Sequence, residues 1–237
     1  GEPGGPGQPF SRPAAHQPAG WRGGGSPVIL VTMKRLLMVW AVAVAGALLV
    51  GRAAVVRAEA VVGEPAPAFS LTDAHGTARS LAEFTGKFVV LEWFNNDCPF
   101  VGKHYNSGSM QQLQAEAAGR GVVWLTVASS APGKQGHLTR EQALMVIAER
   151  GSRHTALLLD PDGAVGRRYG AKTTPHLFVI NPEGRVIYAG AIDDKPSAEP
   201  ADLPGAVNYV RQALDEALAG RPVSVPSTTS YGCSVKY

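Results

Sequence analysis

The sequence predicts an α/β fold, and three observations predict it. Strand-length apolar runs rich in Val, Ile, Leu and aromatic residues recur beyond residue 60. Between them lie segments with apolar residues at helical spacing, two of which open with the Ser/Thr-x-x-Gln pattern of a capping box. Clusters of Gly, Pro, Asn and Asp mark the boundaries. The order is β-α-β-α-β, then a β-hairpin, then a final helix, with no internal repeat.

Each element has a local cause. A short extended stretch around Phe69-Ser70-Leu71 meets the turn signals Asp73-Ala74-His75-Gly76. After Gly86, residues 87–94 read as a strand ending in Leu91-Glu92-Trp93-Phe94. The helix after Cys98 breaks near Asn106-Ser107-Gly108, and the Ser109/Gln112 box restarts it to about Ala118. Residues 122–127 form the next strand. Thr139 and Gln142 open a helix whose apolar stripe is Ala143, Leu144, Ile147 and Ala148. The strand Ala156-Leu157-Leu158-Leu159 stops at Asp160-Pro161-Asp162-Gly163. The runs 177–180 and 185–188 flank Asn181-Pro182-Glu183-Gly184, a hairpin. A last helix, from about Ala206 to Ala219, turns Val210, Ala213, Leu214, Ala217 and Leu218 inward and stops at Gly220.

The chain before residue 61 belongs to targeting rather than to the fold. Residues 1–32 are rich in Gly and Pro without apolar periodicity and read as a disordered or artefactual leader. Residues 33–60 read as a signal peptide: Met33-Lys34-Arg35, fifteen uncharged residues from Leu36 to Val50, and the small-residue cleavage pattern Ala58-Glu59-Ala60. An uncleaved anchor is the competing reading, but that run would extend only about 22 Å as a helix, against a hydrocarbon core of about 30 Å. The chain is thus expected to be secreted or periplasmic, touching membrane only if the signal stays uncleaved. One domain over residues 61–221 and a tail over 222–237 remain. Six of the 22 Lys and Arg and two of the 19 Asp and Glu precede Val61, so the mature chain carries 16 basic against 17 acidic residues. The alkaline balance belongs to the leader, which removes the support for a nucleic-acid role.

Only two cysteines are present, and both survive processing. Cys98 lies at the mouth of a strand-to-helix turn, Asn95-Asn96-Asp97 before it and Pro99 after it, where helix N–H groups and the helix dipole hold a thiolate. Lys103 favours that anion if it points back, and Asp97 opposes it if its carboxylate lies near the sulfur. Cys233 sits in Tyr231-Gly232-Cys233-Ser234, on a tail made extended by Pro222 and Pro226 and able to fold back over the active face.

The spaced pattern Gly63, Ala66-Pro67, Phe69, Leu71, Asp73, Gly76, Leu81, Gly86-Lys87, Val89-Val90-Leu91 and a cysteine at a strand end resembles the redoxin, peroxiredoxin-like branch of the thioredoxin superfamily. The resemblance implies a thioredoxin-like fold, a central mixed sheet flanked by helices, with an N-terminal redoxin extension. It also implies a cis-proline facing the active cysteine, at Thr173-Thr174-Pro175. Two departures stand out: Val101 occupies the place of the second thioredoxin cysteine, and Asn95 and Leu91 occupy the places of the Thr and Pro that precede a peroxidatic cysteine. The Cys-Pro-Phe-Val site looks most like that of peroxiredoxin-like proteins of poorly assigned activity.

The resemblance implies an exported thiol–disulfide oxidoreductase in which Cys98 is the nucleophile, Cys233 the resolving thiol or a static staple, and Thr174 and Pro175 the docking edge. Glu92, six residues before Cys98, stands where thioredoxins carry a buried proton-transfer acid; the plainer reading is a strand-edge carboxylate in water. His176 reads as a surface residue. Partners would be protein or small-molecule disulfides and thiols, or a peroxide. No organic cofactor is expected, since no phosphate-cradling Gly motif follows a strand. Alternatives are a thiol peroxidase, a copper or other metal site built on Cys98, His104 and His176, and a redox-inert binding module.

Overall fold

The strands expected from the apolar runs assemble into one mixed sheet. The computed structural model describes residue 20 and residues 59–237. Nearly all of the expected leader and of the expected signal peptide lies outside the described residues. Seven strands pair in the order β2-β1-β5-β4-β3-β7-β8: β1 Ser70–Asp73, β2 Ala78–Ser80, β3 Val89–Trp93, β4 Val123–Ala128, β5 Ala156–Leu159, β7 His176–Ile180 and β8 Val186–Gly190. Strands β3, β4 and β5 run parallel, and β7, β8, β1 and β2 extend the sheet antiparallel on either side. The extension ahead of β3 is therefore the β1–β2 hairpin, which closes the sheet against β5. A separate two-stranded ribbon joins β6 Thr173–Thr174 to β9 Cys233–Ser234.

Alternation along β3 distributes the core over both faces. Val90 and Phe94 pack with Cys98, Tyr105, Trp124 and Leu214, whereas Val89, Leu91 and Trp93 pack with Leu125, Tyr169 and Phe178. Helix α1 (Pro99–Asn106), α2 (Ser109–Gly119) and the last helix contribute Val101, Met110, Leu113 and Val210 to the first face. Both faces of the central strands are covered, which explains why β3, β4 and β7 read as nearly continuous apolar runs.

Four details depart from the sequence reading. The break between α1 and α2 falls where expected, but no capping box forms there: Ser109 is the first helical residue and Gly108, at φ +78°, precedes it. In helix α3 (Arg140–Arg150) the Thr139/Gln142 box does form, with contacts of 3.3 and 2.8 Å. Its buried residues, however, are Ala143 and Val146, while Leu144 is 39% exposed and Ala148 faces solvent. The stripe that packs inward is 143-146-147, about 100° away from Leu144, and Arg150, continuing it, reaches the Asn96 turn.

The turn Asp160-Pro161-Asp162-Gly163 starts a short helix, α4 (Ala164–Tyr169), as well as ending β5. Asp160 accepts from the N–H groups of Val165 and Gly166 at 3.1 and 2.8 Å, and Asp162 from Ala164 at 2.9 Å. The final helix, α5 (Tyr209–Leu218), begins three residues later than expected because Asn208 caps it, its Oδ1 accepting from the Arg211 N–H at 2.8 Å. Among the described residues no helix is long and apolar enough to cross a membrane.

The tail is built into the structure. It runs beside β8, with the Ala189 N–H donating to Pro226 O at 3.1 Å and the Thr228 N–H to Ala189 O at 3.1 Å. It then crosses to β6, where Thr174 faces Cys233 and Thr173 faces Ser234. Farther on, the Val235 N–H donates to Lys172 O at 3.0 Å and the Tyr237 hydroxyl to Ala171 O at 2.8 Å.

Candidate active site

Cys98 is the N-cap residue of α1, with Pro99 in the first helical position. The turn before it is fixed locally: the Asp97 N–H donates to Asn95 Oδ1 at 2.9 Å and the Cys98 N–H to Asn95 O at 3.1 Å. Arg150, closing α3, holds the same turn through Asn96, with Nε on Oδ1 and Nη2 on the backbone oxygen, both at 2.8 Å. The sulfur is thereby aimed at β6, and Sγ lies 3.0 Å from Thr174 O. The Thr174–Pro175 peptide bond is cis.

Both cysteines are free thiols that meet across this point. Burial pushes the Cys98 thiol up, but the Cys233 thiol, the Thr174 hydroxyl and the N–H groups of Val101 and Cys233 all favour its anion and bring it below the ordinary thiol value. Cys233 moves the opposite way, to about 11, through its own burial and the neighbouring Cys98. Of the two sulfurs, Cys98 is thus the readier anion. Asp97 points to solvent. Lys103 does not serve the sulfur, since its buried ammonium lies 3.6 Å from Asp193 Oδ2 and donates to Lys195 O at 2.8 Å.

The sulfur is nonetheless covered. Cys98 is 1% exposed: it packs with Val90, Phe94 and Val101 of the core on one side, and the tail segment that carries Cys233 pairs with β6 beside it. Tyr231, two residues earlier, packs edge-on to Phe100 with centroids 5.9 Å apart, lies 5.8 Å from the Lys103 ammonium and donates its hydroxyl to Asp193 Oδ1.

Glu92 corrects the plainer sequence reading. It is fully buried in a central strand, opposite Thr126 on one side and Leu177 on the other, rather than at a wet edge. Its carboxyl accepts from Trp124 Nε1 at 2.8 Å, the Tyr105 hydroxyl at 3.0 Å, the Thr126 hydroxyl at 3.1 Å and Gln114 Nε2 at 3.3 Å. Burial outweighs these donors and pushes the carboxyl up to about 7. Tyr105 sits on α1, so Glu92 braces the helix that Cys98 caps.

His176 is buried rather than exposed: its ring centroid lies 4.6 Å from that of Phe178, and its Nδ1 accepts from the Lys172 N–H at 3.3 Å. His104 faces Asp193, Nε2 to Oδ2 3.7 Å, and burial drives its ring down to about 4. Cys98, His104 and His176 therefore have separate surroundings, and among the described residues no three His, Cys, Asp or Glu side chains converge as metal ligands. The cluster of Lys103, His104, Asp193 and Tyr231 was missed from sequence. Tyr231-Gly232 beside the second cysteine was its one local signal; the Asp193 side comes from an unremarkable Asp-Asp-Lys loop.

A parallel β3–β4–β5 core, antiparallel flanks, a cysteine capping the helix after β3 and a cis-proline against its sulfur together define a thioredoxin-like thiol protein. The Redoxin family model matches residues 61–208, more than half of the chain, and the chain belongs to that family. An uncharacterized conserved protein from Geobacillus kaustophilus is similar at 26% identity and a TM-score of 0.66, covering 75% of this chain and 92% of that one. A hypothetical protein from Sinorhizobium meliloti 1021 is similar at 27% identity and a TM-score of 0.64, covering 75% and 94%. A putative thiol:disulfide interchange protein DsbE from Chlorobium tepidum is similar over 55% of this chain and 85% of its own, at 25% identity and a TM-score of 0.46. No curated protein matches the chain.

Proposed function

We propose that this protein is an exported thiol–disulfide oxidoreductase in which Cys98 attacks and Cys233 resolves. The supporting observation is the meeting of the two thiols beside Thr174, one favoured as an anion and the other holding its proton. The Cys98 thiolate attacks one sulfur of a partner's disulfide; that S–S bond breaks, a mixed disulfide forms, and the leaving thiolate takes a proton from solvent. Cys233, losing its proton, then attacks the Cys98 sulfur and expels the second partner thiolate. The partner disulfide is reduced to a dithiol and Cys98–Cys233 is oxidised to a disulfide, which an external dithiol returns to the thiol state. The same steps in reverse oxidise a partner. Thr174 and Pro175 form the docking edge, and Glu92 is a positioning residue for α1. Export rests on the pattern of residues 33–60.

The test is turnover of a peptide disulfide with dithiothreitol as the reductant, followed in wild type, Cys98→Ser and Cys233→Ser. Cys98→Ser is expected to lose roughly 10²-fold or more of the rate. Cys233→Ser is expected to accumulate a mixed disulfide on Cys98, visible as added mass. Turnover that survives Cys98→Ser, or peroxide consumption without disulfide exchange, would overturn the reading.

A further inference from the structure

The tail seated on the docking edge reads as a template for what that edge recognises. Three consecutive residues are fitted to it by different means. Cys233 lies opposite Thr174 in the β6–β9 ribbon. Gly232, at φ +129°, passes so near the cis-proline turn that a Cβ there would fall 2.1 Å from Thr174 O and 2.9 Å from Thr174 C, both immovable backbone atoms. Tyr231 fills the space between Phe100, Lys103 and Asp193, with its hydroxyl on a carboxylate and its ring against an aromatic edge and a buried ammonium. Asp193 is 2% exposed; its Oδ1 accepts from the Tyr231 hydroxyl and from the Lys195 N–H at 2.9 Å, and its Oδ2 faces the Lys103 ammonium at 3.6 Å, so the acceptor is fixed by protein partners rather than shared with solvent.

We infer that the groove formed by α1, β6 and the Asp193 loop selects partner polypeptides presenting an extended Tyr-Gly-Cys segment, and that the protein's own residues 231–233 occupy it as a tethered competitor. This rests on the thiol–disulfide reading above and adds the partner's sequence class to it. Backbone pairing with β6 supplies affinity, Gly lets the chain reach the sulfur, and the Tyr subsite sets the register. Partner and tail cannot occupy the edge together. Return of the tail therefore brings Cys233 to the mixed disulfide and displaces the partner strand in one movement.

The experiment uses the full chain with Cys233→Ser, so that only Cys98 reacts, and follows its alkylation by iodoacetamide with mass spectrometry. Adding Gly232→Ala should lift the tail and raise the Cys98 rate about tenfold or more. An excess peptide of residues 229–237 carrying Cys233→Ser should bring that rate back down, and the same peptide with Gly232→Ala or Tyr231→Ala should not. In parallel, the wild-type chain should react with a Tyr-Gly-Cys peptide disulfide at least about tenfold faster than with its Tyr-Ala-Cys counterpart. Equal reaction with both peptides would overturn the selectivity while leaving the oxidoreductase reading intact; reaction with neither would overturn both. Failure of Gly232→Ala to unmask Cys98, or protection by all three peptides alike, would remove the template role of the tail.

Discussion

Glu92 carries a carboxyl into the middle of the sheet, and its consequence is a pH dependence of stability. Its folded value of about 7 lies above the ordinary 4.5, so the folded chain keeps a proton that the unfolded chain gives up between those values. That contribution is lost as pH rises through the window and is flat above it, a cost of order 3 kcal/mol. Glu92→Gln has no such window. The unfolding free energy of the variant relative to wild type should therefore move in the variant's favour by about 3 kcal/mol from about pH 4.5 to about pH 8, read by urea titration. A difference that stays constant across pH would refute the assignment. As a positioning residue, Glu92 should leave the pH profile of Cys98 alkylation in place; a displaced profile would mean direct proton exchange with the sulfur. Cys98 was legible from its place at a strand end before a helix, whereas the surroundings of Glu92 were not. Its four donors, Tyr105, Gln114, Trp124 and Thr126, come from three other elements that sequence spacing does not bring together.

At the scale of elements, α3 links a local signal to the site. Its capping box was plain in Thr139 and Gln142, and its last residue, Arg150, pins the Asn96 turn that aims Cys98. Thr139→Ala should cost about 1 kcal/mol of global stability, measured by denaturant titration, and a loss under about 0.3 kcal/mol would mean the cap contributes nothing. Strands β3, β4, β5 and β7 were legible because burial on two faces leaves continuous apolar runs. The α3 stripe was not, since Ala143, Leu144, Ile147 and Ala148 fit one helical face as well as 143-146-147-150 does, and only the sheet decides between them. Helix α4 was hidden for a related reason. At six residues it is too short to show periodicity, and its start is written in two aspartates that read equally well as a turn.

Across the whole molecule, three histidines oppose acidification. Burial drives His104, His154 and His176 each down to about 4 from the usual 6.5, so the unfolded chain binds more protons between those values. Stability should be fully present above about pH 6.5 and fall by several kcal/mol in total toward about pH 4, with three imidazoles outweighing the single Glu92 that acts the other way. Thermal or urea unfolding along that range checks it, and a chain that strengthens on acidification would contradict the burial of these rings. The path of the tail was the least legible feature at this scale. Pro222 and Pro226 announce extended chain but carry no information on where it docks; the lock is made by Gly232 against Thr174 and by Tyr231 against Asp193, contacts between residues far apart in sequence. A bulky chromogenic reagent applied to the native, fully reduced molecule would register one sulfhydryl where two exist, and a silent residue 98 would be mistaken for an oxidised one unless the count is repeated in denaturant.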